Sequence, residues 1–215
     1  NKGKAYQLRA FEIAESSRQS KGTAIINLLS IEQGEQVESF VSYNMKDAKE
    51  GDYVFLSTRN GTVKNTSLSE FTNIRRSGIL AIKLDKGDEL VWSKITTGAD
   101  DVLIVTRNGK AVRFSEKSVR PLGRSTMGVR GILNKGDDQV IGMDVIGKGG
   151  NPDLLAIMEK GLGKKTPAGQ FRGQSRGGQG VKVANVTART GKDAVTQVIP
   201  AACKAVIITS KRGLV

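Results

Sequence analysis

Apolar residues fall in short clusters separated by polar, glycine-containing turns, and no segment sustains an apolar stripe at helical spacing. Tyr53-Val54-Phe55-Leu56 is a continuous apolar run, the pattern of a strand buried on both faces. Arg59-Asn60-Gly61 follows, and its Asn-Gly pair predicts a two-residue hairpin turn with positive φ at both central positions. Thr62 to Thr66 returns as a more polar strand. A basic connection then leads to Gly78, and Ile79-Leu80-Ala81-Ile82 makes a third strand. Asp85-Lys86-Gly87-Asp88 turns the chain into a fourth, Leu90 to Ile95. The same order begins again at Val102 and at Leu154. A helical turn or two is predicted only near Ala10 to Lys21.

The turns are periodic. Gly3, Gly61, Gly109, Gly161 and Gly213 each precede a basic strand, at intervals of 58, 48, 52 and 52 residues. Gly22, Gly78, Gly128 and Gly180 form a second series in step with the first, and Gly34, Gly87, Gly136 and Gly191 a third. Strand-rich units with a period near fifty residues predict the blades of a propeller-like ring. The expected architecture is therefore all-β, one domain over 1–215, with repeats at about 3–60, 61–108, 109–160 and 161–212. Residue 1 falls inside a hairpin turn, and Lys211-Arg212-Gly213 opens another after the strand Ala205 to Ile208. Either Lys4 to Arg9 pairs with Ala205 to Ser210 and closes a four-bladed ring, or the chain is part of a longer array. The second arrangement is the expectation.

Composition narrows the chemistry. The chain has no histidine, which removes the commonest general base and metal ligand. A lone cysteine, Cys203, allows neither a disulfide nor a zinc cluster, and its neighbourhood predicts a small buried core residue. No run is long enough to span a membrane, and the free thiol suits a reducing cytoplasm. The acidic pairs Asp100-Asp101 and Asp137-Asp138 lie in turns, where they are expected to serve turn formation and solubility rather than catalysis or metal binding.

The net charge of +13 is unevenly spread. The stretches 3–22, 61–78, 109–128 and 161–180 hold 16 basic and four acidic residues, and the other 137 residues are almost neutral. In a ring of blades, equivalent stretches occupy equivalent places, so a positive band repeated once per blade is expected. Such a band matches a long, regular polyanion, with duplex DNA the natural partner. Candidate contacts are Lys4, Arg9, Arg18, Lys21, Lys64, Arg75, Arg76, Lys110, Arg113, Arg120, Arg124, Lys164, Lys165, Arg172 and Arg176. Phe11, Phe71 and Phe171 recur at one repeat position, with Val119 in the remaining copy, which predicts a core plug rather than a stacking platform for single strands. Lacking a recognition helix, the chain is expected to bind without regard to base sequence.

The runs Phe55 to Lys64, Glu70 to Ile79, Val119 to Arg124 and Gly161 to Pro167 resemble the C-terminal domain of DNA gyrase A, and the resemblance covers essentially the whole chain. It implies a six-bladed β-pinwheel whose basic rim wraps duplex DNA and lets an ATP-dependent type IIA topoisomerase introduce negative supercoils. It also implies that catalysis, ATP and Mg²⁺ belong elsewhere in a heterotetramer of gyrase A with its ATPase partner, gyrase B, in the cytoplasm with the chromosome. This chain is then expected to carry no active site, cofactor, membrane contact or small-molecule substrate. Gln174-Ser175-Arg176-Gly177-Gly178-Gln179-Gly180 is an imperfect copy of that family's basic heptad, with Ser175 and Gln179 at its basic positions. The corresponding tail of topoisomerase IV and a protein-binding propeller are the alternatives.

Overall fold

A computed structural model describes residues 1–17, 19–44, 46–191 and 194–206, apart from the side chains of residues 194 and 195. Among them there is no α-helix. Thirteen strands run in the order β1 (Lys4–Ala5), β2 (Tyr53–Thr58), β3 (Thr62–Ser67), β4 (Ile79–Leu80), β5 (Leu90–Thr96), β6 (Asp101–Thr106), β7 (Lys110–Ser115), β8 (Val129–Arg130), β9 (Val140–Ile146), β10 (Asp153–Met158), β11 (Gly163–Pro167), β12 (Val181–Lys182) and β13 (Ala194–Ile199). Short 3₁₀ turns follow β3, β7 and β11, and two more lie at Ala10–Glu12 and Ile25–Asn27. The first of these falls inside the stretch expected to turn helically.

Each complete sheet has four strands, but one comes from the next repeat. The orders are β5-β2-β3-β8 and β12-β7-β6-β9, with a three-stranded β11-β10-β13 and a two-stranded β1-β4. The short third strand of a repeat therefore leaves its own hairpin and pairs antiparallel with the hairpin before it: β4 on β1, β8 on β3 and β12 on β7. This corrects the expectation that the four strands of one repeat form one blade. Each blade is completed by its successor, so neighbouring blades are joined by backbone hydrogen bonds as well as by packing.

Two glycine series are explained by this exchange. At the second junction the N–H groups of Gly131 and Ile132 both point to the carbonyl of Gly61 (2.8 and 3.4 Å). A Cβ on Gly61 would lie 2.7 Å from the Ile132 side chain, and one on Gly128 would lie 2.3 Å from the Val63 carbonyl oxygen. No side chain fits at either position. The same double donation joins Ala81 and Ile82 to Gly3, and Val183 and Ala184 to Gly109.

The hairpin turn also differs from the two-residue form. Among the described residues only glycines have positive φ, so Asn60 is not left-handed. Gly61 donates to Thr58 across a type I turn and then adopts φ +91° itself, giving a three-residue connection. Asp88 fixes this turn by accepting from the Asn60 N–H (3.0 Å), and Asp138 does the same for Asn108 (2.9 Å). Asp138 and Asp100 are buried, so they serve turn formation from inside the fold rather than solubility.

The core lies between blades. Val102 and Ile104 of β6 face the preceding blade, with Phe55, Val63, Val112, Phe114 and Ile132. Leu103 and Val105 face the following one, with Leu154, Ala168, Phe171 and Val183. A strand apolar at every position is thus buried on both faces, as its sequence predicts. Phe71, Val119 and Phe171 are buried plugs, but Phe11 is 77% exposed and lies under the Arg9 guanidinium at 5.8 Å. In the first repeat Ile25 and Ile26 are exposed, whereas their counterparts Ala81 and Ile82 lie beneath the preceding hairpin. Cys203 is half-buried, its thiol against the Ala205 carbonyl, so it is not a core residue. Lys4–Ala5 pairs with Ile79–Leu80, not with the stretch near residue 205. Residues 207–210 and the Lys211-Arg212-Gly213 turn lie outside the described residues.

Candidate nucleic-acid interface

The loops between the 3₁₀ turns and the donated strands carry about half of the expected basic contacts. The loops 119–128 and 171–180 cross the second strand of the preceding hairpin at one register. Asn65 bridges Pro121 in parallel, and Leu122 donates to the Asn65 carbonyl (2.8 Å). Arg113 bridges Gly173, and Gln174 donates to the Arg113 carbonyl (2.7 Å). Arg120 and Arg172 stand one residue before these bridges, so they occupy matching places at successive junctions, and both are exposed.

Four residues later the match repeats. The backbone N–H of Arg124 donates to the Glu70 carboxylate, and its guanidinium lies 3.5 Å from the same group. Arg176 Nε donates to the carbonyl of Ser118 (2.9 Å), which holds the place of Glu70 one repeat on. Both arginines clasp the preceding repeat. The imperfect heptad is part of this latch: Gly177 donates to the Gly131 carbonyl (2.6 Å), and Leu133 donates to that of Gly178 (2.9 Å).

The fifteen expected contacts differ in exposure and pairing. Arg9, Lys21, Arg75, Arg76, Arg120, Lys164 and Arg172 are exposed, Lys110 is half-exposed, and none of these eight has an ion-pair partner among the described residues. Arg176 is exposed while holding its carbonyls. Lys4 pairs with Glu32, Arg113 with Asp101 (2.8 Å), Lys165 with Asp153 (2.9 Å) and Arg124 with Glu70. Their charge is locally balanced, so these four are weaker phosphate ligands than the sequence suggests. Arg18 lies outside the described residues.

Lys64 is a correction. It is 0% exposed, and its ammonium donates to the carbonyls of Ala81 (2.9 Å), Arg124 (2.6 Å) and Thr126 (3.1 Å). It cannot reach a phosphate from there. It ties the third strand of its own repeat to the basic loop of the next. Burial pulls its pKa down from 10.5 to about 8, partly offset by the charge of Glu70. One signal could have revealed this: Val112, a buried core residue, occupies the same place in the next repeat. Lys164 occupies it in the last repeat and is exposed.

Exposed cations were also missed. Arg130 and Lys182 are the second residues of β8 and β12 and are exposed. They fall just beyond the glycines that bounded the charge-rich stretches, and only strand exchange brings them beside the basic loops.

Strand-exchanged, four-stranded blades joined by arginine-bearing loops define a basic β-pinwheel. The family described as "DNA gyrase C-terminal domain, beta-propeller" matches residues 1–44, 52–97, 100–146 and 153–202, and the chain belongs to it. DNA gyrase A of Staphylococcus epidermidis is 41% identical over 191 residues, which is 89% of this chain. DNA gyrase A of Staphylococcus aureus is 38% identical over 192 residues, again 89% of this chain. The chain spans about a fifth of the length of these relatives (21%). Among solved structures, the C-terminal domain of a DNA topoisomerase IV superposes with a TM-score of 0.80 at 26% identity, covering 92% of this chain and 61% of that one. A DNA gyrase A C-terminal domain shares the fold, with a TM-score of 0.74 over 92% of this chain and 70% of that one, at 24% identity. No helix among the described residues is long and apolar enough to cross a membrane.

Proposed function

We propose that this chain wraps duplex DNA, without sequence preference, along the basic loops that join its blades. The carrying observation is the register: Arg120 and Arg172 recur at one place in successive junctions, exposed and free of carboxylates among the described residues. Arg75, Arg76, Lys110 and Lys164 add partner-free charge within the same stretches of the repeat. Smooth bending of 20–30 base pairs costs on the order of 1–6 kcal/mol, so several junctions must act together. Backbone-linked blades supply a stiff support for that path.

Family membership gives the reading its setting. The chain acts within a type IIA topoisomerase, beside the rest of gyrase A and its ATPase partner gyrase B, and helps introduce negative supercoils in the cytoplasm. Cleavage chemistry, ATP and Mg²⁺ are assigned to those other parts. The closeness of fold to the topoisomerase IV domain favours a second reading as that enzyme's tail. Supercoiling rather than decatenation by the assembled enzyme separates the two.

The test is salt dependence. With about six to ten phosphate contacts, affinity for mixed-sequence duplex is expected to fall roughly 10³- to 10⁵-fold between about 50 and 200 mM salt. A flat dependence in a fluorescence-anisotropy titration contradicts the reading.

A further inference from the structure

We propose that Lys110 and Lys182 clamp one backbone phosphate of the duplex, which makes the junction of β7 with β12 its main anchor. The clamp rests on the wrapping reading for the identity of the polyanion. It adds an order of strength to contacts that the reading leaves equal.

The two lysines are directly opposed where β12 pairs with β7. Residues in that relation point to one face, with Cβ atoms about 4.5–5.5 Å apart, and like charges so placed repel. Lys110 is half-exposed and Lys182 exposed, and neither side chain has a hydrogen-bond or ion-pair partner among the described residues. The other junctions avoid this pairing. Thr62 opposes Arg130, and Leu80 opposes Lys4, whose charge Glu32 balances. Two ammonium groups held together without a carboxylate invite an anion between them, and a phosphate accepts from both.

The surroundings add charge without competing acids. From Lys160 to Lys192 the sequence carries eight basic residues and no acidic one. Arg172 is exposed and partner-free on the loop that leads into β12. Arg176 lies on the same loop, with Ser118 where the junction before has Glu70. Arg130 reaches this loop from the preceding repeat: a Cβ on Gly177 would lie 3.7 Å from its Cδ, and Arg176 donates to its carbonyl (3.3 Å). At the junction of β3 with β8, Arg124 in the place of Arg176 is paired with Glu70, and the residue in the place of Arg130 is Leu80. The uncompensated field is therefore concentrated at β7 and β12.

One arm of the test uses no DNA. Lys182→Gln relieves the repulsion, so the variant should melt above wild type in dilute chloride buffer. Exchanging chloride for inorganic phosphate at constant ionic strength should raise the wild-type melting temperature, and raise it less in the variant. The second arm titrates the full chain with a duplex of about 12 base pairs, little more than one helical turn. Lys110→Gln combined with Lys182→Gln should weaken binding at least about tenfold. That loss should exceed the loss from Arg75→Gln with Arg76→Gln, which removes the same charge at another junction. Equal losses from the two pairs, a Lys182→Gln chain that melts no higher than wild type, or a phosphate gain that persists in it overturns the clamp. Longer DNA that still bends in that event leaves the wrapping reading standing, so the two failures are told apart.

Discussion

Replacing Arg75, Arg76, Arg120 and Arg172 together by glutamate is expected to abolish stable wrapping while the domain stays folded. None of the four has an ion-pair partner among the described residues, so reversing them breaks no ion pair there. Stability should change by no more than about 0.5 kcal/mol per site, the range of surface substitutions. Four lost phosphate contacts should lower the slope of log affinity against log salt by about 3.6. The reversed charges add repulsion, which steepens the loss at low salt. Anisotropy titrations at several salt concentrations measure the slope, and urea unfolding measures the fold. A slope unchanged in the folded variant would place the DNA elsewhere on the molecule. The contrasting set, Lys4, Arg113, Arg124 and Lys165, is paired with carboxylates, so its reversal should disturb stability more and the salt slope less.

Lys64→Met should have the largest effect on stability. The substitution removes the shared donor from the carbonyls of Ala81, Arg124 and Thr126; the last still accepts from the Lys83 N–H (3.1 Å), so the first two are left unsatisfied. Unsatisfied buried groups of this kind cost about 1–3 kcal/mol each, and losing the buried charge returns part of that. A net loss of about 2–4 kcal/mol is expected, which lowers the melting temperature of a chain this size by roughly 5–15 °C. DNA affinity should fall only as far as the loop bearing Arg120 and Arg124 loosens. The pH dependence has a definite sign. The folded pKa near 8 lies below the ordinary 10.5, so between those values the unfolded chain holds more protons than the folded one. Wild-type stability relative to Lys64→Met should therefore rise as pH increases from about 8 to about 10.5, as burial of the ammonium is relieved. Paired denaturation curves across that window check it, and a gap that stays constant or narrows would contradict the assignment.

Much of the fold could be read from the chain because its repeats carry two independent signals. Apolar runs such as Val102 to Val105 report burial on both faces, and the glycine series report where backbones meet. What the pattern could not show is the partner of a strand. Ile79–Leu80 has the same alternation whether it closes its own hairpin or the one before, and only the positions of Gly3 and Gly61 against Ile82 and Ile132 decide it. The turn type was missed for a related reason: Asn60 is held by Asp88 from across the blade, and that bond favours the type I form over the one its dipeptide suggests. Charge was legible as a sum and less so as a surface. Lys64 and Lys164 share a repeat position, yet the first is covered by the loop of the following repeat and the second is exposed.

Bending is the property that separates wrapping from simple electrostatic binding. Energy transfer between dyes at the two ends of a short duplex, with the full chain added, measures it directly. The ends should approach as protein binds, and separate again when salt is raised or when the four partner-free arginines are reversed. Duplex that binds the folded chain yet keeps its ends at the separation of free DNA would contradict the account.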